Sequence, residues 1–172
     1  MPAKANALNI SRHFTESGKD PFDKLSWSKK DVEIRNFDGT VAFSMKDVTL
    51  PDNYSQVASN VLAQKYLRKA GIPKKLRKVK EKAVPTWLQK SVPDIKAMED
   101  LPESEKFGEE VDGKQTFRRL AGTWTYWGWK HGYFASEEDA KSYFDEMCFM
   151  LAFQMVSPNS PQWFNTGLNW AY

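Results

Sequence analysis

Two helical stripes in succession constrain this chain more than any other feature. Phe117, Leu120, Ala121, Trp124 and Trp127 recur at helical spacing between about Lys114 and Lys130. Ala140, Tyr143, Phe144, Met147, Cys148, Leu151 and Met155 repeat the pattern with a wider apolar face. Gly132 is placed to stop the first helix. Ser136, with Asp139 three residues on, offers a variant of the capping box for the second, and Ser157-Pro158 ends it. The link from Gly132 to Ala135 is short, so the two helices should lie antiparallel. Trp124 and Trp127 share the stripe with Leu120 and Ala121 and are expected in the core.

Upstream the pattern is mixed. Met1 to about Lys30 is polar with isolated aromatics, Phe14, Phe22 and Trp27, which reads as an extended arm docked by those rings. Val32 and Ile34, then Val41, Phe43 and Met45, alternate with polar neighbours on either side of an Asp38-Gly39 turn, the signature of a hairpin over 31–46. Tyr54, Val57, Ala58, Val61, Leu62 and Tyr66 predict a helix that Gly71 and Pro73 terminate. Ile72 to Pro102 carries four prolines and little periodicity, so irregular structure is expected, with Val84, Trp87, Leu88 and Val92 tacked onto a core. Pro102 to Gly113 is acidic and reads as a surface loop. The fold class is therefore mainly α with a small β-hairpin (α+β): an arm over 1–30, then a mainly helical domain over 31–156.

Composition narrows the function classes. With 172 residues, 41% of them hydrophobic and 14% aromatic, the chain can build one real core. A net charge of +3 gives no general case for a nucleic-acid partner. No run approaches the ~18 apolar residues of a membrane span, and the start MPAKANALNISRHF lacks an apolar signal core, so a cytoplasmic location is the expectation. The single cysteine, Cys148, excludes an internal disulfide and a cysteine-rich zinc site, and its place on a helical stripe reads as an inert buried thiol. His13 and His131 lie far apart in sequence, and no metal site is expected. Lys65 to Lys82 holds nine Lys or Arg and one acid, Glu81. It is either a solvated helix end with a loop or a phosphate-binding patch.

The segment Ser157-Pro158-Asn159-Ser160-Pro161-Gln162-Trp163-Phe164-Asn165-Thr166-Gly167 is the most unusual stretch. Two prolines fix its path and remove two amide donors. Short polar side chains and Gly167 let such a loop present amides and hydroxyls to an anion. A polar turn after a long helix explains the same residues.

MVSPNSPQWFNTGLNWAY resembles the start of the catalytic barrel in class II ribonucleotide reductases of the long, vitamin-B12-dependent type. FTESGKDPFD, VEIRNFDGTVAFSMKDVTLP, YSQVASNVLAQKYLRKAGIP and RRLAGTWTYWGWKHGYFASEEDAKSYFDEMCFMLAFQM are similar to the family's preceding segments, in the same order. The resemblance runs from about Phe14 to Tyr172. It implies an amino-terminal helical domain leading into the first element of a reductase α/β barrel at 157–172.

It also implies an enzyme that replaces the ribose 2'-hydroxyl with hydrogen. Adenosylcobalamin would start the radical, and cysteines beyond Tyr172 would carry it. No residue here is then catalytic, and the chain acts only with the remainder of the reductase and a ribonucleotide substrate. By the same resemblance Ser160 contacts substrate phosphate, Asn159 and Asn165 shape the loop or line the same pocket, and Pro158, Pro161 and Gly167 fix its course. Trp163, Phe164 and Trp170 would form the contact with a separate polypeptide carrying the rest. The rivals are a small basic, aromatic nucleic-acid-binding module and an interaction domain without a ligand.

Overall fold

The computed structural model describes residues 7–172. Its first element is a long antiparallel hairpin, β1 (Trp27–Arg35) and β2 (Val41–Pro51). Gly39 turns it with a φ of 85°, and the Asn36 amide donates to the Thr40 carbonyl at 2.9 Å. The hairpin is longer at both ends than the alternation predicts, and a bulge is the reason. Lys30 pairs with Val48 and Val32 with Met45, so Lys46 and Asp47 together face Asp31. Asp47 takes a left-handed φ of 54° and its amide donates to the Asp31 carboxylate at 3.1 Å. The extra residue resets the alternation. Met45, Val48 and Leu50 therefore all face the core, although their spacing breaks the two-residue rule.

Ser55 caps α1 (Gln56–Val61) by accepting from the Ala58 amide. The chain then widens into a π-helical turn over Leu62–Tyr66, in which the Leu67 amide donates to the Leu62 carbonyl at 3.1 Å. The helix thus stops at Tyr66, five residues before Gly71. Its end is taken up by a buried side chain of a later helix, described below, rather than by a glycine.

The proline-rich stretch is more regular than expected. β3 (Ile72–Pro73), β4 (Leu76–Lys78) and β5 (Ser91–Pro93) precede the short α2 (Glu103–Lys106) and β6 (Phe107–Gly108). β3 pairs with β6 and β4 with β5, both antiparallel. Leu88 and Val84 are buried as expected, against Tyr126.

The helices α3 (Gly113–Lys130) and α4 (Glu137–Ala152) form the centre and pack along each other. Asp112 and Gln115 close a full capping box at the start of α3. Ser136 caps α4 through the Asp139 amide. Two expectations need correction. Trp127 is 51% exposed rather than core, because the buried sides of α3 are made by small residues that let neighbours approach. A Cβ on Gly122 would sit 2.1 Å from the Trp170 ring, and one on Gly128 would sit 2.7 Å from Phe134. Helix α4 ends at Ala152 and Met155 lies outside it, exposed, after Gln154 turns with a φ of 59°.

The arm docks along α4. Phe14 stacks on Phe149 at 5.3 Å, and Phe22 and Trp27 pack on Phe117. The Phe14 and Thr15 amides donate to the Glu146 carboxylate at 2.8–3.1 Å, while Arg12 pairs with the buried Asp145 at 2.7 Å. Two short helices, α5 (Ser160–Asn165) and α6 (Leu168–Ala171), close the described chain against α3. None of the described helices is long and apolar enough to cross a membrane.

Candidate functional site

Residues 157–167 form a loop and a helical turn held from beneath. Pro161 sits in the first turn of α5, where its missing N–H leaves no bond unmade. Trp163 turns inward and is 5% exposed; its Nε1 donates to the Pro158 carbonyl at 3.0 Å and closes the loop on itself. Its ring stacks on Tyr66 at 5.1 Å and meets Phe117 edge-on at 6.1 Å. This corrects the expectation that Trp163 contributes to an outward contact surface. Phe164 is exposed, and Trp170 is half-buried, its Nε1 donating to the Leu88 carbonyl at 2.9 Å.

Ser160, Asn159 and Asn165 are all exposed. The Ser160 hydroxyl lies 3.2 Å from the Tyr66 hydroxyl. Asn159 occupies the N-cap position of α5 without a capping bond from its side chain, and its carbonyl accepts from the Gln162 amide at 3.1 Å. Asn165 donates to the Pro161 carbonyl at 3.4 Å. The six loop residues do not share one cavity. Pro158 borders a 390 Å³ cleft with Trp124, Tyr143 and Met147. Asn165 and Gly167 border a 330 Å³ cleft with Lys90, Tyr126, Trp127 and Trp170. Asn159, Ser160 and Pro161 border neither.

The anchor of the loop is an ion pair the sequence reading missed. Glu110 and Arg119 are fully buried, with Arg119 Nε donating to Glu110 Oε1 at 2.8 Å. Arg119 also donates to the Thr166 carbonyl at 2.8 Å and to the Tyr66 carbonyl at 3.0 Å. One guanidinium thus ties the end of α5 to the end of the π-helical turn. Glu110 takes further bonds from the Thr116 hydroxyl at 2.9 Å, the Arg68 amide at 2.8 Å and the Tyr172 hydroxyl at 2.7 Å. Burial pushes the Tyr172 hydroxyl well above its ordinary pKa, and the adjacent Glu110 carboxylate adds to the rise. Every strong donor and acceptor in the cluster is matched, as a buried pair requires. Gly167, with a φ of 89°, passes so close that a Cβ would lie 2.2 Å from the Arg119 carbonyl.

Sequence carried weak signals for this anchor. Arg119 sits on α3 in phase with Thr116, Leu120 and Thr123, an inward arc. Glu110 lies in the acidic stretch read as a surface loop, which is corrected here: that one acid is buried.

The other candidates resolve more simply. Cys148 is fully buried, and that burial pushes its thiol up, away from the thiolate. In the basic stretch, Lys78 donates to the Gln89 carbonyl at 2.7 Å and Lys69 donates to the Ala63 carbonyl, and both residues remain exposed. Arg68, Lys74, Lys75, Arg77, Lys80 and Lys82 stay exposed. His131 ends α3 and is exposed. Among the described residues, no group of three or more His, Cys, Asp or Glu is placed to hold a metal ion.

A family model described as class II vitamin B12-dependent ribonucleotide reductase matches residues 28–154. The chain belongs to that family. A vitamin B12-dependent ribonucleotide reductase of Agrobacterium fabrum is 54% identical over 165 residues, covering 96% of this chain and 13% of that protein. One from Bradyrhizobium diazoefficiens has the same identity and coverage. One from Streptomyces avermitilis is 31% identical over 166 residues, covering 95% of this chain and 14% of that protein. The chain therefore spans about an eighth of the length of these relatives.

Proposed function

We propose that this chain is the amino-terminal segment of a cytoplasmic reductase that converts ribonucleotides to deoxyribonucleotides, and that it supplies the loop holding the substrate phosphate. Ser160 is the contact. The observation that carries this reading is its exposure on a loop whose two ends are fixed by Arg119 and by the inward Trp163. A hydroxyl on a preformed loop donates to a phosphate oxygen at low ordering cost. Asn159 and Asn165 shape the loop, and Pro158, Pro161 and Gly167 set its path.

The reaction needs parts outside this chain. Adenosylcobalamin supplies the initiating radical in the full-length enzyme. Among the described residues, the clefts of 440, 390 and 330 Å³ are lined by no histidine. The cofactor is held elsewhere in the reductase, as are the cysteines that carry the radical and the reducing electrons. The present residues bind and orient; orientation of a charged substrate contributes rate without a reacting group.

Ser160→Ala in the full-length reductase tests the reading. A hydrogen bond to a charged group contributes about 1.5–3 kcal/mol, so the KM for the ribonucleotide should rise about tenfold or more while kcat changes little. An unchanged KM sinks the assignment. Ser160 is exposed, so the fold tolerates the change.

A further inference from the structure

We infer that Tyr66 is a positioning residue for this site: its hydroxyl donates to Ser160 Oγ and aims the serine proton at the bound phosphate. The inference rests on the phosphate reading above and adds a residue to it. Tyr66 is fixed at both ends. Its carbonyl accepts from Arg119 Nη2 at 3.0 Å. Its ring stacks on Trp163 with centroids 5.1 Å apart and planes 18° from parallel, and it meets Phe164 at 5.7 Å. The phenol therefore reaches the loop in one pose, with its oxygen 3.2 Å from Ser160 Oγ.

Donor counting sets the direction. A serine hydroxyl has one proton and two acceptor sites, and so has a tyrosine hydroxyl in practice one proton to give. A fully ionised phosphate oxygen only accepts. With phosphate bound, Ser160 must spend its proton on the phosphate, so the Tyr66–Ser160 contact survives only if Tyr66 donates. The chain is then Tyr66 O–H to Ser160 Oγ, and Ser160 O–H to phosphate. A hydroxyl that accepts one hydrogen bond becomes a better donor in the next, and its rotor is no longer free. The π-helical turn at Leu62–Tyr66 is what brings this side chain to the loop, and such turns are frequent at functional positions.

Steady-state kinetics of the full-length reductase decide the matter, with Tyr66→Phe, Ser160→Ala and the double variant. Phe keeps the ring stack and removes only the hydroxyl. Tyr66→Phe should raise the ribonucleotide KM about three- to tenfold, the range of one ordinary hydrogen bond, with kcat and Tm held. The double variant should be no worse than Ser160→Ala alone, since Tyr66 acts through Ser160. An unchanged KM in Tyr66→Phe, beside a raised KM in Ser160→Ala, overturns the role of Tyr66 and leaves the phosphate reading standing. Additive losses in the double variant also overturn it, because Tyr66 would then act without Ser160. A Tm drop with equal loss of kcat marks a merely structural side chain and overturns it too. No KM change in Ser160→Ala removes both.

Discussion

At the residue scale the account turns on Arg119 and Glu110. Replacing one member of a buried pair strands the other charge in a low-dielectric interior, at a cost of about 3–5 kcal/mol. Arg119→Met should therefore lower the unfolding free energy of the 172-residue chain by an amount in that range, read from guanidinium titration followed by tryptophan fluorescence. Loss of less than about 1 kcal/mol, the size of an exposed pair, would show that the pair is solvated instead. Gly167→Ala is the companion test. The left-handed backbone alone costs an alanine about 1–2 kcal/mol, and the 2.2 Å approach to the Arg119 carbonyl forces the loop to move as well. For Arg119 the sequence offered only its helical phase, and for Glu110 nothing beyond an acidic stretch. Arg118 and Arg119 are adjacent and alike, yet Arg118 reaches the half-exposed Asp20 while Arg119 is buried. Charged residues are exposed by default, and only the partner, nine residues upstream across the α3 cap, decides otherwise.

At the element scale the arm and α4 give a pH dependence. Burial tends to raise the Glu146 carboxyl, but hydrogen bonds from the Thr15 hydroxyl and from the Phe14 and Thr15 amides outweigh it and hold it below the ordinary value. A depressed carboxylate contributes stability that is fully present above its unfolded pKa, about 4.3 for glutamate. That stability is lost as pH falls below this value and through the folded one. Amide exchange at Phe14 and Thr15, corrected for intrinsic rates, should stay slow from neutral pH to about pH 5 and quicken as the pH falls below about 4. In Glu146→Gln the same amides should exchange faster throughout, with no such acid step. An acid step that persists in Glu146→Gln would assign it to another carboxylate, Asp145 being the neighbour paired with Arg12.

The elements themselves were legible to different degrees. The α3 and α4 stripes, the Ser136 cap and the Asp38-Gly39 turn were readable because each is a local rule acting over a few residues. The arm was readable through its aromatics, since Phe14 docks on Phe149, and Phe22 and Trp27 on Phe117. The bulge at Asp47 and the early stop at Tyr66 were not. Both answer to residues far along the chain or across a strand, and periodicity carries no trace of them. Trp127 failed for a related reason: a stripe read by residue size overlooks faces built from Gly122, Thr123 and Gly128.

At the scale of the whole molecule, one core joins the hairpin, α3, α4 and the final segment. Val48 and Leu50 from β2, Phe117 and Leu120 from α3, Leu151 from α4 and Trp163 from α5 share it. The loop at 157–167 is thus part of the folded unit, not a tail hung from it. Of the proposed site, the serine, the prolines and the glycine were named from the family resemblance; the partners of the buried anchor and the contact of Tyr66 came with three dimensions. Membership of the reductase family accounts for the order of the segments, and the chain spans about an eighth of the length of these relatives.

The most direct measurement is a crystal structure of the full-length reductase with its ribonucleotide bound. The expected result is a substrate phosphate oxygen about 2.5–3.0 Å from Ser160 Oγ, the range of an O–H···O bond, with Arg119 still bonded to the Thr166 carbonyl. A nucleotide whose phosphates lie elsewhere, with Ser160 contacting only solvent or Tyr66, contradicts the account.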